Sequence, residues 1–465
     1  MKLLNHLTTL LLAATLTLGG MTAVSSCGED LPDPPQEEPA EVPGGEEKTG
    51  EEPGEQPGGE NPEPPAPIVK SRDINLSASE KSLADATIAN SFKILRLQSE
   101  IERTVPEPKA NIMISPLSLY WVLSMVANGA AGDSRDEIIH GLGFEGHSMA
   151  EINEFFHKLY GELTTLDDNS KFKIAGSLWF RSDMKPYVLD SFVKCLSENY
   201  QAPVDFVRSF ETEEARLAIN NWCESNTDGF IKELFKEQLP DDLYLLLANV
   251  LYFKGLWTCP FDTKMTKEMP FHNEDGTSSI VRMMYLDEMS YEVVKGEGFY
   301  ALKLPYGNQA FSMIIILPDE AQALDDCLKS METQSAKLTA LAKGDSYYHS
   351  HILSLPSFEI EYESKFGDII SNNLNIQKIF NNDQADLSSM FDASKIGMNR
   401  CLKHPVQICK IAVDEKGTEA SAVTLISGAD CVNDNLYFTV NRPFAFLISE
   451  RSTGLPIFMG RVTRF

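Results

Sequence analysis

One composition boundary constrains this chain more than any motif. Up to about residue 70 it is a leader followed by Pro-, Gly- and Glu-rich sequence. From Ser71 to Phe465 no further Pro/Gly-rich break occurs. A domain usually holds ~100–200 residues, so residues 71–465 are long for one domain, but without an internal break they read as one continuous globular unit around a large core. The apolar fraction of 43% is sufficient for that. Its pattern starts helical. Leu83 to Arg103 carries an apolar stripe at Ile88, Phe92, Leu95, Leu97 and Ile101, and Leu117 to Ala130 reads as a more buried helix. Later segments read as strands: Phe311 to Leu317, Val406 to Val413, Tyr437 to Val440, Phe444 to Ser449 and Ile457 to Val462. Helices first and strands later indicate an α+β class, not a βαβ repeat.

The formal net charge of −28 argues against nucleic acid as a partner, since phosphate contacts need clustered Lys and Arg. Residues 1–26 read as a lipoprotein signal peptide. Lys2 lies in a short n-region, Leu10 to Leu18 form an apolar stretch too short to span a bilayer, and Val24, Ser25, Ser26 and Cys27 resemble the bacterial lipobox. Cys27 is then the expected lipidation site. Residues 27–70 form an acidic tether. Between Gly28 and Pro67 stand 13 acidic residues, one Lys and 11 Pro, a composition with too little apolar surface to fold. At about 3 Å per residue such a tether reaches on the order of 100 Å. The expected location is a lipid anchor in the bacterial outer membrane, with the domain exposed at the surface.

Enzyme motifs fail. Ser182 to Lys185 and Ser191 to Lys194 match SxxK and Lys48 to Gly50 matches KTG, but the KTG lies in the tether, on the wrong side of both. No GxSxG, HExxH or P-loop occurs, and the eight His lack metal-ligand spacing, so no catalytic residue, metal or cofactor is expected. Of eight Cys, seven remain once Cys27 is lipidated, an odd number that precludes full internal pairing. Buried free thiols are the simple reading.

Four separated stretches together resemble the serpin family. The first runs from Asn111 through Ser115, Pro116 and Ser118 to Gly129 and Gly132. The second holds Asn249, Phe253, Lys254, Gly255 and Trp257, then Pro260 and Phe261. The third holds Met283 and Met284, then Leu304, Pro305 and Tyr306. The last runs from Val413, Glu415, Gly417, Thr418, Glu419 and Ala420 to Asn441, Arg442, Pro443 and Phe444, and on to Gly460 and Arg461. The resemblance spans Leu83 to Phe465. It implies three β-sheets, about nine helices and an exposed reactive-centre loop. It also implies that an attacking protease is trapped as a covalent acyl-enzyme while the cut loop inserts into the main sheet. The expected protein is monomeric, and its partner is the target protease.

The hinge of that loop can be checked for its ability to insert. A new central strand sends alternate residues into the core. Thr418, Ala420, Ala422 and Thr424 form the inward set, all small or β-branched. Glu419, Ser421, Val423 and Leu425 form the other, with its one charge outward. No Pro occurs from Gly417 through Asn441, so no ladder donor is missing, and Gly417 supplies hinge freedom. A bulky or charged hinge, the mark of a non-inhibitory serpin-fold binding protein, is absent. By family spacing the bait bond follows the residue about fourteen positions after the hinge glycine, giving Cys431 and Val432. Ala429, Asp430 and Cys431 also resemble the bait of viral serpins directed at Asp-specific cysteine proteases. Ala429 or Val432 would suit an elastase-like or subtilisin-like serine protease, and Asn433 an asparaginyl one. The family's shutter maps to Ser115, Ser118, Asn249 and Gln407. Relatives often carry His at the last position. Gln407 keeps a donor and an acceptor for pairing with Asn249 but cannot titrate.

Overall fold

The computed structural model describes residues 70–465 except residues 241, 287–290, 345–347, 351, 397–399, 404–405 and 419–436. Three sheets and nine α-helices make up the described residues. The helices are α1 (Ala78–Glu102), α2 (Pro116–Gly129), α3 (Gly132–Leu142), α4 (Met149–Leu163), α5 (Asp190–Tyr200), α6 (Glu213–Asn226), α7 (Leu324–Thr333), α8 (Ser335–Lys343) and the short α9 (Ala393–Ile396).

Helix starts follow from local chemistry. Ser77 and Ser148 close capping boxes with Glu80 and Glu151 at the heads of α1 and α4. Ser115 caps α2, with Pro116 in its first turn. Helix α2 is buried on nearly every side, and its Trp121 meets Phe156 and Tyr200 edge-to-face.

A seven-stranded sheet has the order β1 (Ile112–Ile114), β17 (Pro456–Val462), β16 (Phe444–Glu450), β9 (Phe311–Pro318), β8 (Phe299–Pro305), β7 (Tyr291–Lys295), β10 (Tyr348–Ser350). A four-stranded sheet runs β15 (Tyr437–Thr439), β11 (Ile352–Pro356), β6 (Ser278–Leu286), β5 (Lys267–His272). The main sheet runs β12 (Phe358–Lys365), β13 (Val406–Asp414), β14 (Gly417–Thr418), β4 (Leu245–Leu256), β2 (Ser170–Arg181), β3 (Val204–Val207).

The helices and strands expected from the sequence are all present, within a few residues at their ends. Their order is more mixed than expected. The long strands β2 and β4 precede α7 and α8, so helices and strands interleave along the chain. Strand β4 is buried on both faces. Leu245, Leu251 and Phe253 join the main core, while Ala248 and Val250 join a second cluster under α6 with Trp179, Phe210 and Ile219. A strand buried on both sides loses its alternation and reads as an undivided apolar run.

Six cysteines among the described residues are free thiols. Burial pushes the thiols of Cys223 and Cys327 up to about 12, so both stay protonated and inert at neutral pH.

Candidate functional site

The main sheet has an unusual member. Strand β14 holds two described residues, with those after it outside the described ones, and lies between β13, nine residues long, and β4, twelve residues long. It is antiparallel to both: Gly417 faces Leu256 and Asp414, and Thr418 faces Gly255 and Val413. Among the described residues, β4 and β13 are joined by a ladder only through β14.

The head of this slot is tightly built. Gly417 has φ +148°, and a methyl group there would lie 2.1 Å from the Gly255 carbonyl oxygen, so only glycine fits. The Thr418 side chain is buried in the core, its hydroxyl 2.8 Å from the Tyr306 hydroxyl. Tyr306 stacks on Trp257 with ring centroids 4.4 Å apart. The Trp257 indole donates to the Asp414 carbonyl at 2.9 Å, and its backbone N–H to the Lys416 carbonyl at 2.9 Å. The Asp414 carboxylate accepts from the N–H groups of Lys416 and Gly417 at 2.8 and 3.2 Å. Buried Glu415 accepts from Arg282 at 2.6 Å and from the Thr266 hydroxyl at 2.9 Å. Every polar group of the turn from Asp414 to Gly417 named here is thus held while the chain passes from β13 into the slot.

Halfway down stand Ser115, Ser118, Asn249 and Gln407, all buried. The structure brings them together but pairs them differently from the sequence expectation. Gln407 does not bond Asn249. Its carbonyl accepts from the Ser115 N–H at 2.8 Å and its amide donates to the Ser115 carbonyl at 3.0 Å. This two-point grip on the backbone at the head of α2 uses both ends of the amide, which turns Gln407 away from Asn249. Asn249 instead accepts from the Ser118 hydroxyl, leaving its buried Nδ2 without a partner. A buried amide donor with no acceptor costs roughly 1–3 kcal/mol.

At the foot lies an apolar cavity of about 440 Å3, lined by Leu245, Leu247, Val126, Ile379 and Met390 and covered by Phe235 and Leu239. The covering segment is pinned by Asn220. Its carbonyl accepts from the N–H groups of Leu234 and Phe235, and its amide donates to the Phe235 carbonyl.

The remaining expected residues lie outside the described ones: Glu419, Ala420, Ala422 and Thr424 of the hinge, the bait residues Asp430, Cys431 and Val432, and Cys27. Trp257, Tyr306 and Arg282 were not anticipated as part of the site. Trp257 and Tyr306 stand in the family motifs, but nothing in their spacing tells that they meet across the slot.

Comparison with known proteins agrees with this architecture. A family model described as "Serpin (serine protease inhibitor)" matches residues 89–465. The leukocyte elastase inhibitor of Bos taurus is 31% identical over 369 residues, covering 77% of this chain and 94% of its own length. Plasminogen activator inhibitor 1 of Bos taurus is 30% identical, covering 82% and 92%. Among solved structures, the thermophilic serpin tengpin in its native state superposes with a TM-score of 0.71 at 26% identity, over 85% of this chain and all of that one. Human thyroxine-binding globulin, complexed with its hormone, gives 0.70 at 25%, over 83% and 99%. The chain belongs to the serpin family, described as serine protease inhibitors.

Gly417→Ala is expected to expel β14 from the slot, because the added methyl meets β4 backbone that cannot move aside. Hydrogen exchange at the Gly417 and Thr418 amides should accelerate at least tenfold relative to the parent. Unchanged protection would show that β14 tolerates a side chain.

Proposed function

We propose that this protein is an inhibitory serpin that traps a serine endopeptidase by completing its main sheet with its own cut loop. The carrying observation is β14, which is already a strand of that sheet, with the slot continuing below it. Extending its ladder without a bulge gives a definite register. Six residues past Thr418 comes Thr424. Six before Gly255 is Asn249, and six before Val413 is Gln407. Both neighbours bring Thr424 to the same level, where its hydroxyl can accept from the unpartnered Asn249 amide. Ten residues past Thr418 comes Gly428, opposite Leu245, the first residue of β4. A cut at or beyond residue 429 therefore gives a strand that spans all of β4 and crosses the apolar cavity, and this supports a bait bond within Ala429 to Asn433.

The chemistry is ordinary acyl transfer. The protease serine oxygen attacks the bait carbonyl, the amine of the next residue leaves with a proton, and an ester joins the two proteins. Water would hydrolyse that ester. Insertion carries the bound protease the length of the sheet before deacylation. The target class we favour is elastase-like or subtilisin-like, since Ala429 and Val432 suit pockets for small side chains. The leukocyte elastase inhibitors among the relatives add weight to this choice. We place the protein, as a monomer, at the outer-membrane surface, anchored through Cys27 and extended on the acidic tether.

Two substitutions test this reading. Thr418 already packs against Tyr306 in the intact form, so Thr418→Arg displaces β14 and sets a cost of about 3–5 kcal/mol against its seating again during insertion. It should turn the inhibitor into a substrate: cleavage continues, and the gel-stable complex with subtilisin or elastase disappears. A full yield of complex from this variant would contradict the inward assignment of Thr418. Asp430→Ala separates the target classes. Trapping of serine proteases should survive it, with a released peptide that begins between Asp430 and Asn433. Loss of all trapping would move the target to Asp-specific cysteine proteases, whose pockets need the carboxylate.

A further inference from the structure

Residues 71–75, just ahead of α1, belong to no helix or strand, yet they are fastened to the body along their whole length. The Ser71 N–H donates to the Asn308 carbonyl at 3.1 Å. The Arg451 guanidinium donates to the Ser71 carbonyl at 2.9 Å and to the Asp73 carboxylate at 2.6 Å. Arg72 pairs with Glu162 and donates to the Thr165 hydroxyl at 2.9 Å. Ile74 is buried in the main core, and its N–H donates to the Ser452 hydroxyl at 2.9 Å. Lys158 donates to the Asn75 carbonyl at 2.5 Å.

The attachment at Ser71 reaches the slot by a short route. Asn308 lies in the turn Tyr306 to Ala310, which joins β8 to β9. Gly307 and Gln309 have φ +43° and +69°. The left-handed region disfavours a side chain such as that of Gln309, so the turn keeps this shape only where its surroundings hold it. The Gly307 N–H donates to the Leu256 carbonyl of β4 at 2.8 Å, and its carbonyl accepts from the Thr258 hydroxyl at 3.0 Å. The Asn308 amide donates to the Leu166 carbonyl at 2.7 Å. Residues 71–75 supply the remaining hold. Ser71 takes the Asn308 carbonyl, and Arg451, which grips Ser71 and Asp73, donates its own N–H to the Ala310 carbonyl at 2.9 Å. The same turn begins with Tyr306, which receives Thr418 and stacks on Trp257 at the head of the slot.

We propose that residues 71–75 are a strap that seats the Tyr306 to Ala310 turn, and that through Tyr306 this strap sets how firmly β14 and the turn from Asp414 to Gly417 are held. Tyr306 is fully buried between Thr418 and Trp257, and close packing leaves it little room to shift independently of its turn. Ser71 acts through that turn, so its role is positional. The coupling goes beyond the trapping reading and does not need it. On that reading it makes the hinge answer to the point where the chain enters the domain: a partner or a load that lifts residues 71–75 loosens the hinge.

The test is amide hydrogen exchange on the full chain, with two variants that loosen the strap differently. Ser71→Pro removes the N–H that donates to Asn308. Asp73→Ala removes a carboxylate from Arg451. Three sites are read: the Gly307 amide, bonded to Leu256; the Trp257 amide, bonded to the Lys416 carbonyl; and the amides of α2 as a reference for overall stability. Both variants should speed exchange at Gly307 and at Trp257 at least threefold, with Ser71→Pro the stronger, while α2 exchanges at the parent rate. Should Ser71→Pro not fold, Asp73→Ala decides alone. Faster exchange at Gly307 without any change at Trp257 overturns the coupling, because the strap would then hold the turn and nothing beyond it. An equal acceleration in α2 overturns it as well, since that is general destabilisation. So do parent rates at both sites.

Discussion

The structure depends on two residues of strand wedged between two long ones. Gly417 and Thr418 fill the head of the gap between β4 and β13, and their backbones satisfy both neighbours. Among the described residues the ladder that joins β4 to β13 runs through β14 alone. The fittings at the head keep this start in register. Gly417 is there because β4 backbone passes too close for any side chain, and Thr418 because a small hydroxyl reaches Tyr306. The Trp257 indole and the Glu415–Arg282 pair fix the turn that delivers them.

Below the head, no side-chain hydrogen bond between Asn249 and Gln407 joins β4 to β13. Gln407 holds the start of α2 and Asn249 holds Ser118, so no side-chain hydrogen bond between this pair has to break when β4 and β13 part. The unpartnered Asn249 amide and the apolar cavity at the foot are small deficits in the intact form. On the trapping reading both are removed when the strand arrives, and that difference is part of what drives insertion. None of the four polar side chains at mid-slot titrates near neutral pH, so the opening should not follow pH as it would with a histidine at 407.

Much of this was legible in the sequence. Helices α1 and α2 follow from their apolar periodicity, and β9, β13 and β15 to β17 from short apolar runs bounded by turn residues. Strand β4 was visible only as a family motif, because burial on both faces removes the alternation that marks a strand. The mid-slot residues were identified by resemblance, and they do gather. Their pairing was not readable: Gln407 prefers a backbone partner that only the packing of α2 against β13 supplies. The stacking of Trp257 on Tyr306 joins residues 49 positions apart, a contact no local pattern encodes. Register carried the most information, since it converts an alternating set of loop residues into named partners on both flanks.

The central claim is that the intact fold lacks a strand which the protein itself can supply. A melting curve recorded before and after a single clean cut between residues 429 and 433 tests it most directly. On the trapping reading, insertion of the cut loop would complete the main sheet and relieve a state held by a kinetic barrier. The account predicts a sharp rise in melting temperature on cleavage. A curve that does not move would contradict it, and would leave a serpin-fold binding protein as the better description.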